Sequence, residues 1–158
     1  MKNKTKVYIV SVAIALAVGG ISALVTRSGM DIYSDIKTPP LSPPAFLFPI
    51  VWSVLFILMG ISAAIIYTSE NGTKSERVSA LRTYALSLAV NFLWSVVFFN
   101  FRGFLTAFAV LLLLLFLILK TIAQYKKIST TAANLQIPYA LWVTFAGYLN
   151  FAIWVLNK

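Results

Sequence analysis

The residues best suited to chemistry in this chain are amides and aromatic rings set at helical spacing. Asn91 precedes Trp94 by three residues, so the two share one helical face. Trp142, Phe145, Ala146 and Leu149 follow the 3, 4, 7 spacing of a single face, with Tyr139 on the same side. Trp52, Phe56, Phe98 and Phe99 add rings within long apolar runs, and an amide such as Asn91 in such a run is not expected to face lipid. Groups of this kind stack and donate hydrogen bonds. A face of rings around one small residue suits a flat apolar ligand, and the same spacing also serves plain helix packing.

What is missing narrows the chemistry further. The chain contains no cysteine and no histidine, which removes disulfides, thiolate nucleophiles, Ser-His and Cys-His pairs, and zinc or copper sites of the usual ligand types. No metal site and no cofactor are expected, and the residues hold no catalytic set for acid–base work. All four acidic residues, Asp31, Asp35, Glu70 and Glu76, fall between apolar runs, so the carboxylates of an ion-driven transporter are absent from those runs.

The elements that must position these side chains are membrane helices. Of 158 residues 60% are hydrophobic and 11% charged, against about a quarter charged in soluble domains, and mean hydropathy is +0.88. One helical crossing needs roughly 20 apolar residues. Charges punctuate the chain into five such runs, at about 7–26, 45–68, 83–101, 103–120 and 131–156. The expected fold is therefore all-α, a single five-helix transmembrane domain over 1–158, with too little chain left for a separate soluble domain. The first run is too long for a secretory signal and is read as a retained helix. Continuous apolar runs exclude an outer-membrane barrel.

The segment 28–44 is the one sizeable loop, and its prolines and apolar residues suit an ordered lid better than a floppy linker. In the last run, Pro138 predicts a kink, with Asn134 and Gln136 at the membrane interface. Basic residues divide nine against four: Lys2, Lys4, Lys6, Lys74, Arg77, Arg82, Lys120, Lys126 and Lys127 on one side, Arg27, Lys37, Arg102 and Lys158 on the other. That bias predicts a multi-pass cell-membrane protein with a cytoplasmic N-terminus and an outward loop. The net charge of +9 meets anionic lipid headgroups; no basic run interleaved with aromatics marks a nucleic-acid surface. Ala85, Ala89 and Ser87, or Gly19 and Gly20, offer a close seam for a homodimer.

Three blocks give the chain its likeness to a known family. They are Pro39-Pro40-Leu41-Ser42-Pro43-Pro44 with Phe48 to Phe56 and Gly60; Asn91-Phe92-Leu93-Trp94 with Phe98-Phe99; and Pro138-Tyr139, Trp142, Phe145-Ala146 and Leu149-Asn150. In this order they resemble the translocator proteins, also called tryptophan-rich sensory or peripheral-type benzodiazepine receptor proteins. The likeness extends over nearly the whole chain.

The resemblance implies a five-helix receptor or carrier for flat hydrophobic molecules, porphyrins such as protoporphyrin IX in bacteria and cholesterol in animals, with isoquinoline carboxamide drugs sharing the pocket. Matched block by block, it implies a pocket lined by Tyr33, Pro43, Trp52, Phe56, Asn91, Trp94, Phe98, Phe99, Trp142, Ala146 and Leu149, closed by the long loop. It also implies, as an alternative, light- and oxygen-dependent porphyrin breakdown, with Trp52 and Trp142 as the electron-transfer partners. A structural or partner-binding membrane protein is the third reading. Leu41, Phe46 and Phe92 stand where the family often has tryptophan, and Phe151 and Val155 break its sterol-recognition pattern.

Overall fold

The computed structural model describes residues 2–158, all of whose regular elements are helical. Five stretches are long and apolar enough to cross a membrane: Asn3–Val25, Leu47–Thr68, Lys74–Asn100, Phe104–Lys126 and Thr130–Asn157. The helices are α1 (Lys2–Val25), α2 (Ile32–Asp35), α3 (Leu47–Thr68), α4 (Lys74–Ser95), α5 (Phe104–Lys126), α6 (Thr130–Leu135) and α7 (Ile137–Asn157). At about 1.5 Å per residue, the 22 residues of α3 span roughly the 30 Å of a hydrocarbon core.

The long helices form a closed ring. α1 packs on α3, α3 on α6 and the start of α7, α7 on α5, α5 on α4, and α4 returns to α1. The seam between α1 and α3 is closest at Gly60, where an added Cβ would lie 2.5 Å from Val12 Cα. There the Ser11 hydroxyl donates to the Gly60 carbonyl at 2.7 Å, satisfying a side chain that lipid could not. Gly19 serves the same seam, since a Cβ there would meet the Phe56 ring.

Several helix ends differ from those read off the apolar runs. α4 begins at Lys74, nine residues before 83, because Thr73 and Glu76 form a capping box. The Thr73 hydroxyl accepts from the Glu76 amide at 3.1 Å, and the Glu76 carboxylate accepts from the Thr73 amide at 2.8 Å. Polar residues 74–82 are thus a helical extension, which hydropathy alone does not reveal. α5 likewise continues past Lys120 to Lys126, burying Tyr125.

The expected kink at Pro138 is instead a break between two helices. α6, capped by the Ser129 hydroxyl, stops at Leu135, and Pro138 lies in the first turn of α7, where its missing N–H leaves no bond unmade. Gln136 at the junction is buried within the protein, while Asn134 is exposed. The Gln136 amide donates to the Ser62 hydroxyl at 3.3 Å, and that hydroxyl donates to the Ala132 carbonyl at 2.7 Å. This chain of bonds fastens α6 to α3.

Residues 26–46 are ordered against the bundle end. Arg27–Gly29 form one turn of 3-10 helix, and Gly29 sits so close to the Phe99 carbonyl that any side chain would overlap it. The Lys37 amide donates to Asn157 Oδ1 at 2.9 Å, which puts the loop and the C-terminus at the same end of the molecule.

Candidate functional site

The ring of helices encloses a cavity of about 500 Å³ near its loop end. Trp52 and Phe56 come from α3, Asn91 and Trp94 from α4, Trp142, Ala146 and Leu149 from α7, and Tyr33 from α2. Phe98 and Phe99 come from the wider π-helical turn Val96–Asn100 that ends α4, closed by the Phe101 amide on the Val96 carbonyl at 3.2 Å. Such a turn changes the angle between successive side chains, and these two consecutive rings both line the cavity. Ten of the eleven residues named from the sequence therefore converge on one space. Pro43 is not among the lining residues.

The rings form a nearly continuous belt. Trp142 meets Phe48 edge-on at 5.9 Å, Phe48 stacks on Tyr33 at 5.5 Å, and Tyr33 meets Phe99 at 6.1 Å. Phe99 contacts Phe98 at 4.9 Å, Phe98 contacts Trp94 at 5.5 Å, and Trp94 contacts Trp52 at 6.5 Å. Aromatic faces set in this way offer flat, weakly polar walls on which a planar π-system can stack. Ala146 leaves a gap in the α7 wall beside Trp142, because its side chain ends at Cβ.

Two amides hold the belt in register. Asn91 Nδ2 donates to the Tyr139 hydroxyl at 2.9 Å, joining α4 to α7 beneath Trp52. The Trp94 indole N–H donates to Asn150 Oδ1 at 2.9 Å, and Asn150 Nδ2 donates to the Phe104 carbonyl at 2.8 Å. With both partners buried, the Trp94 plane is fixed before any ligand arrives. Hydroxyls on the wall are folded back onto their own helices: Thr26 donates to the Ser22 carbonyl and Ser53 to the Pro49 carbonyl, both at 2.7 Å.

The electrostatics are those of an apolar, neutral site. Among the described residues no acidic or basic side chain lines the cavity. Burial pushes the Tyr33 phenol up to about 12, so it is neutral at physiological pH. The rim carries an ion pair, Arg102 to Asp35 at 3.3 Å, which is half exposed and hence of small energetic weight.

Sequence reasoning missed one whole wall and, among other lining residues, the side chains of Phe48 and Asn150. The α1 wall of Leu16, Gly19, Gly20 and Ala23 carries no aromatic signal, and its glycines read as packing residues. Phe48 lies one turn before Trp52, and Asn150 one turn after Ala146, so helical spacing from residues already chosen would have found both. The proposed seam residues part ways: Ala85 and Ala89 are exposed, whereas Ser87 is buried and donates to the Tyr84 carbonyl, and Gly19 is occupied by the α1–α3 contact.

The family model described as the TspO/MBR family matches residues 11–155. The chain belongs to the TspO/MBR family. It is 37% identical to the protein CrtK of Rhodobacter capsulatus, over 96% of this chain and 91% of that relative. It is 34% identical to the tryptophan-rich protein TspO of Chlorobaculum tepidum, over 92% of each chain. It is 33% identical to the translocator protein of Ovis aries, over 82% of this chain and 77% of that one. Membership and five apolar helices together make this TspO/MBR chain a multi-pass membrane protein.

Proposed function

We propose that this protein is a membrane receptor or carrier that binds porphyrin-class tetrapyrroles and related flat hydrophobic molecules in the aromatic cavity. The observation that carries the reading is the belt of rings around a charge-free space of about 500 Å³, within the range of pockets that enclose small organic ligands. The macrocycle stacks between Trp52, Trp94 and Trp142, and its propionates stay at the mouth, where Arg27 is exposed beside the lining residues Thr26 and Met30. Among the described residues Met30 and Tyr33 are the only lining side chains of a type that binds haem iron axially. Metal-free porphyrin is therefore expected to bind at least as well as haem.

Titration of the detergent-solubilised protein with protoporphyrin IX, followed by tryptophan quenching, tests this reading. Saturable quenching is the expected result. Tight haem binding with a six-coordinate spectrum, together with no response to protoporphyrin, would refute it. The protein is proposed to sit in the cell membrane with its N-terminus on the cytoplasmic side, a reading supported by the basic-residue bias.

The Trp52 contacts favour a second reading. Its ring centroid is 6.1 Å from that of the buried Tyr139 and 6.5 Å from that of Trp94, so a photoexcited porphyrin beside it would have oxidisable rings close by while oxygen consumes the macrocycle. Unchanged light-driven loss of porphyrin in Trp52→Phe/Trp142→Phe would exclude that role. The exposed pair Ala85 and Ala89, one turn apart, supports self-association through α4. Bulky substitution of both that leaves the sedimentation of the oligomer unaltered would contradict it.

A further inference from the structure

The cavity is not equally closed on all sides. On α1, Leu16, Gly20 and Ala23 line it and are also exposed, as are Pro49 and Ser53 at the start of α3 and Ala45 just before it. Their spacing, close to one turn between neighbours, sets them along one side of each helix. The two stripes lie on either side of the α1–α3 seam, nearer the loop than its closest contact at Gly60. At Gly60 the two backbones touch, whereas nearer the loop a Cβ added at Gly20 would meet nothing within 4 Å.

The loop end contrasts with this opening. Lys37 and Asn157 exchange two hydrogen bonds of 2.9 Å, the Tyr148 hydroxyl donates to the Pro40 carbonyl at 2.8 Å, and Asn100 Nδ2 donates to the Val25 carbonyl at 3.0 Å. A ligand passing under the loop would have to break such bonds. One passing between α1 and α3 breaks none of them, because the frame presents mostly carbon and the Ser53 hydroxyl is already bonded to its own helix. Gly20 lies five residues before the end of α1, roughly 8 Å below that end by helix rise. An opening at that level of a membrane-spanning helix would face acyl chains, where a flat apolar molecule partitions.

From this geometry we infer that ligands reach the cavity sideways from the bilayer, through the window framed by these six residues, while the loop stays fastened. The inference rests on the ligand reading above and adds the route. Its test is kinetic, in lipid nanodiscs, with protoporphyrin IX as the probe and stopped-flow tryptophan quenching as the signal. Since the chain has no native cysteine, Lys37→Cys/Asn157→Cys introduces a single thiol pair that oxidation can join. Association in the oxidised form is expected within twofold of the reduced form, and Gly20→Phe is expected to slow association at least tenfold. The converse, a tenfold slowing by the cross-link and none by Gly20→Phe, would overturn the lateral route. Absence of quenching in every form would refute the porphyrin reading, and the window is then judged without ligand from a nitroxide attached at Ser53→Cys. Relaxation by bilayer-dissolved oxygen and not by a water-soluble nickel chelate is expected; relaxation by the chelate would overturn the window.

Discussion

Replacing Ala146 by phenylalanine places a ring where α7 leaves room for the ligand. Ala146 lines the cavity with Trp142, Leu149 and Asn150, so a larger side chain there takes space from the ligand. A ligand forced off that wall loses apolar contact of about 50 Å², worth roughly 1.3 kcal/mol at about 25 cal/mol per Å². It also loses a stacked aromatic contact of about 0.5–1.5 kcal/mol. The sum is about 2 kcal/mol, or some thirtyfold in Kd. The fold should hardly respond, because the overpacking cost of about 1–3 kcal/mol applies to filled cores. The assay is a protoporphyrin titration beside a thermal melt of the same detergent-solubilised sample. Unaltered affinity with a markedly lower melting temperature would refute the reasoning, since Ala146 would then be packing against a helix and not bordering the ligand.

Other perturbations separate site from scaffold. Asn150→Leu leaves the buried Trp94 indole N–H without its partner, a loss of about 1–3 kcal/mol, so the melting temperature should fall and emission from Trp94 should shift; an unchanged melt would show that the bond carries no weight. Gly60→Ala drives a Cβ into the Val12 backbone and should destabilise the protein, whereas Gly20→Ala, with open space around it, should leave the melt unmoved. The Tyr33 phenol is raised from 10.0 to about 12 by burial, so what its protonated form contributes to loop docking is complete below pH 10 and is lost only as pH rises through about 12. Porphyrin affinity should accordingly be flat between about pH 7 and 11, and a transition near pH 10 would mean that the loop leaves Tyr33 solvated.

The number of spanning helices was legible because charges interrupt the apolar runs at intervals that a bilayer dictates. Helix ends were less so. Hydropathy marks where lipid stops, not where a helix does, and the capping box at Thr73 and Glu76 extends α4 back through the polar residues 74–82. Pro138 carried the right signal with the wrong consequence: proline in a helix interior kinks it, but here a buried Gln136 bonded to Ser62 ends one helix and starts the next. In the site, Asn91 and the tryptophans stood out because polar or large side chains in an apolar run need a reason. The α1 wall was silent, since Gly19, Gly20 and Ala23 contribute by what they leave open, and Pro43 was named only by likeness to the family.

The central claim is that the belt from Trp142 through Tyr33 to Trp52 seats a planar macrocycle inside the bundle. A crystal structure of the protein grown with metal-free protoporphyrin tests it most directly. The account predicts one ring system between α3, α4 and α7, in contact with Trp52, Trp94 and Trp142, with its propionates toward Arg27. Density for the porphyrin only on the lipid-facing surface, with the belt collapsed onto itself, would contradict it.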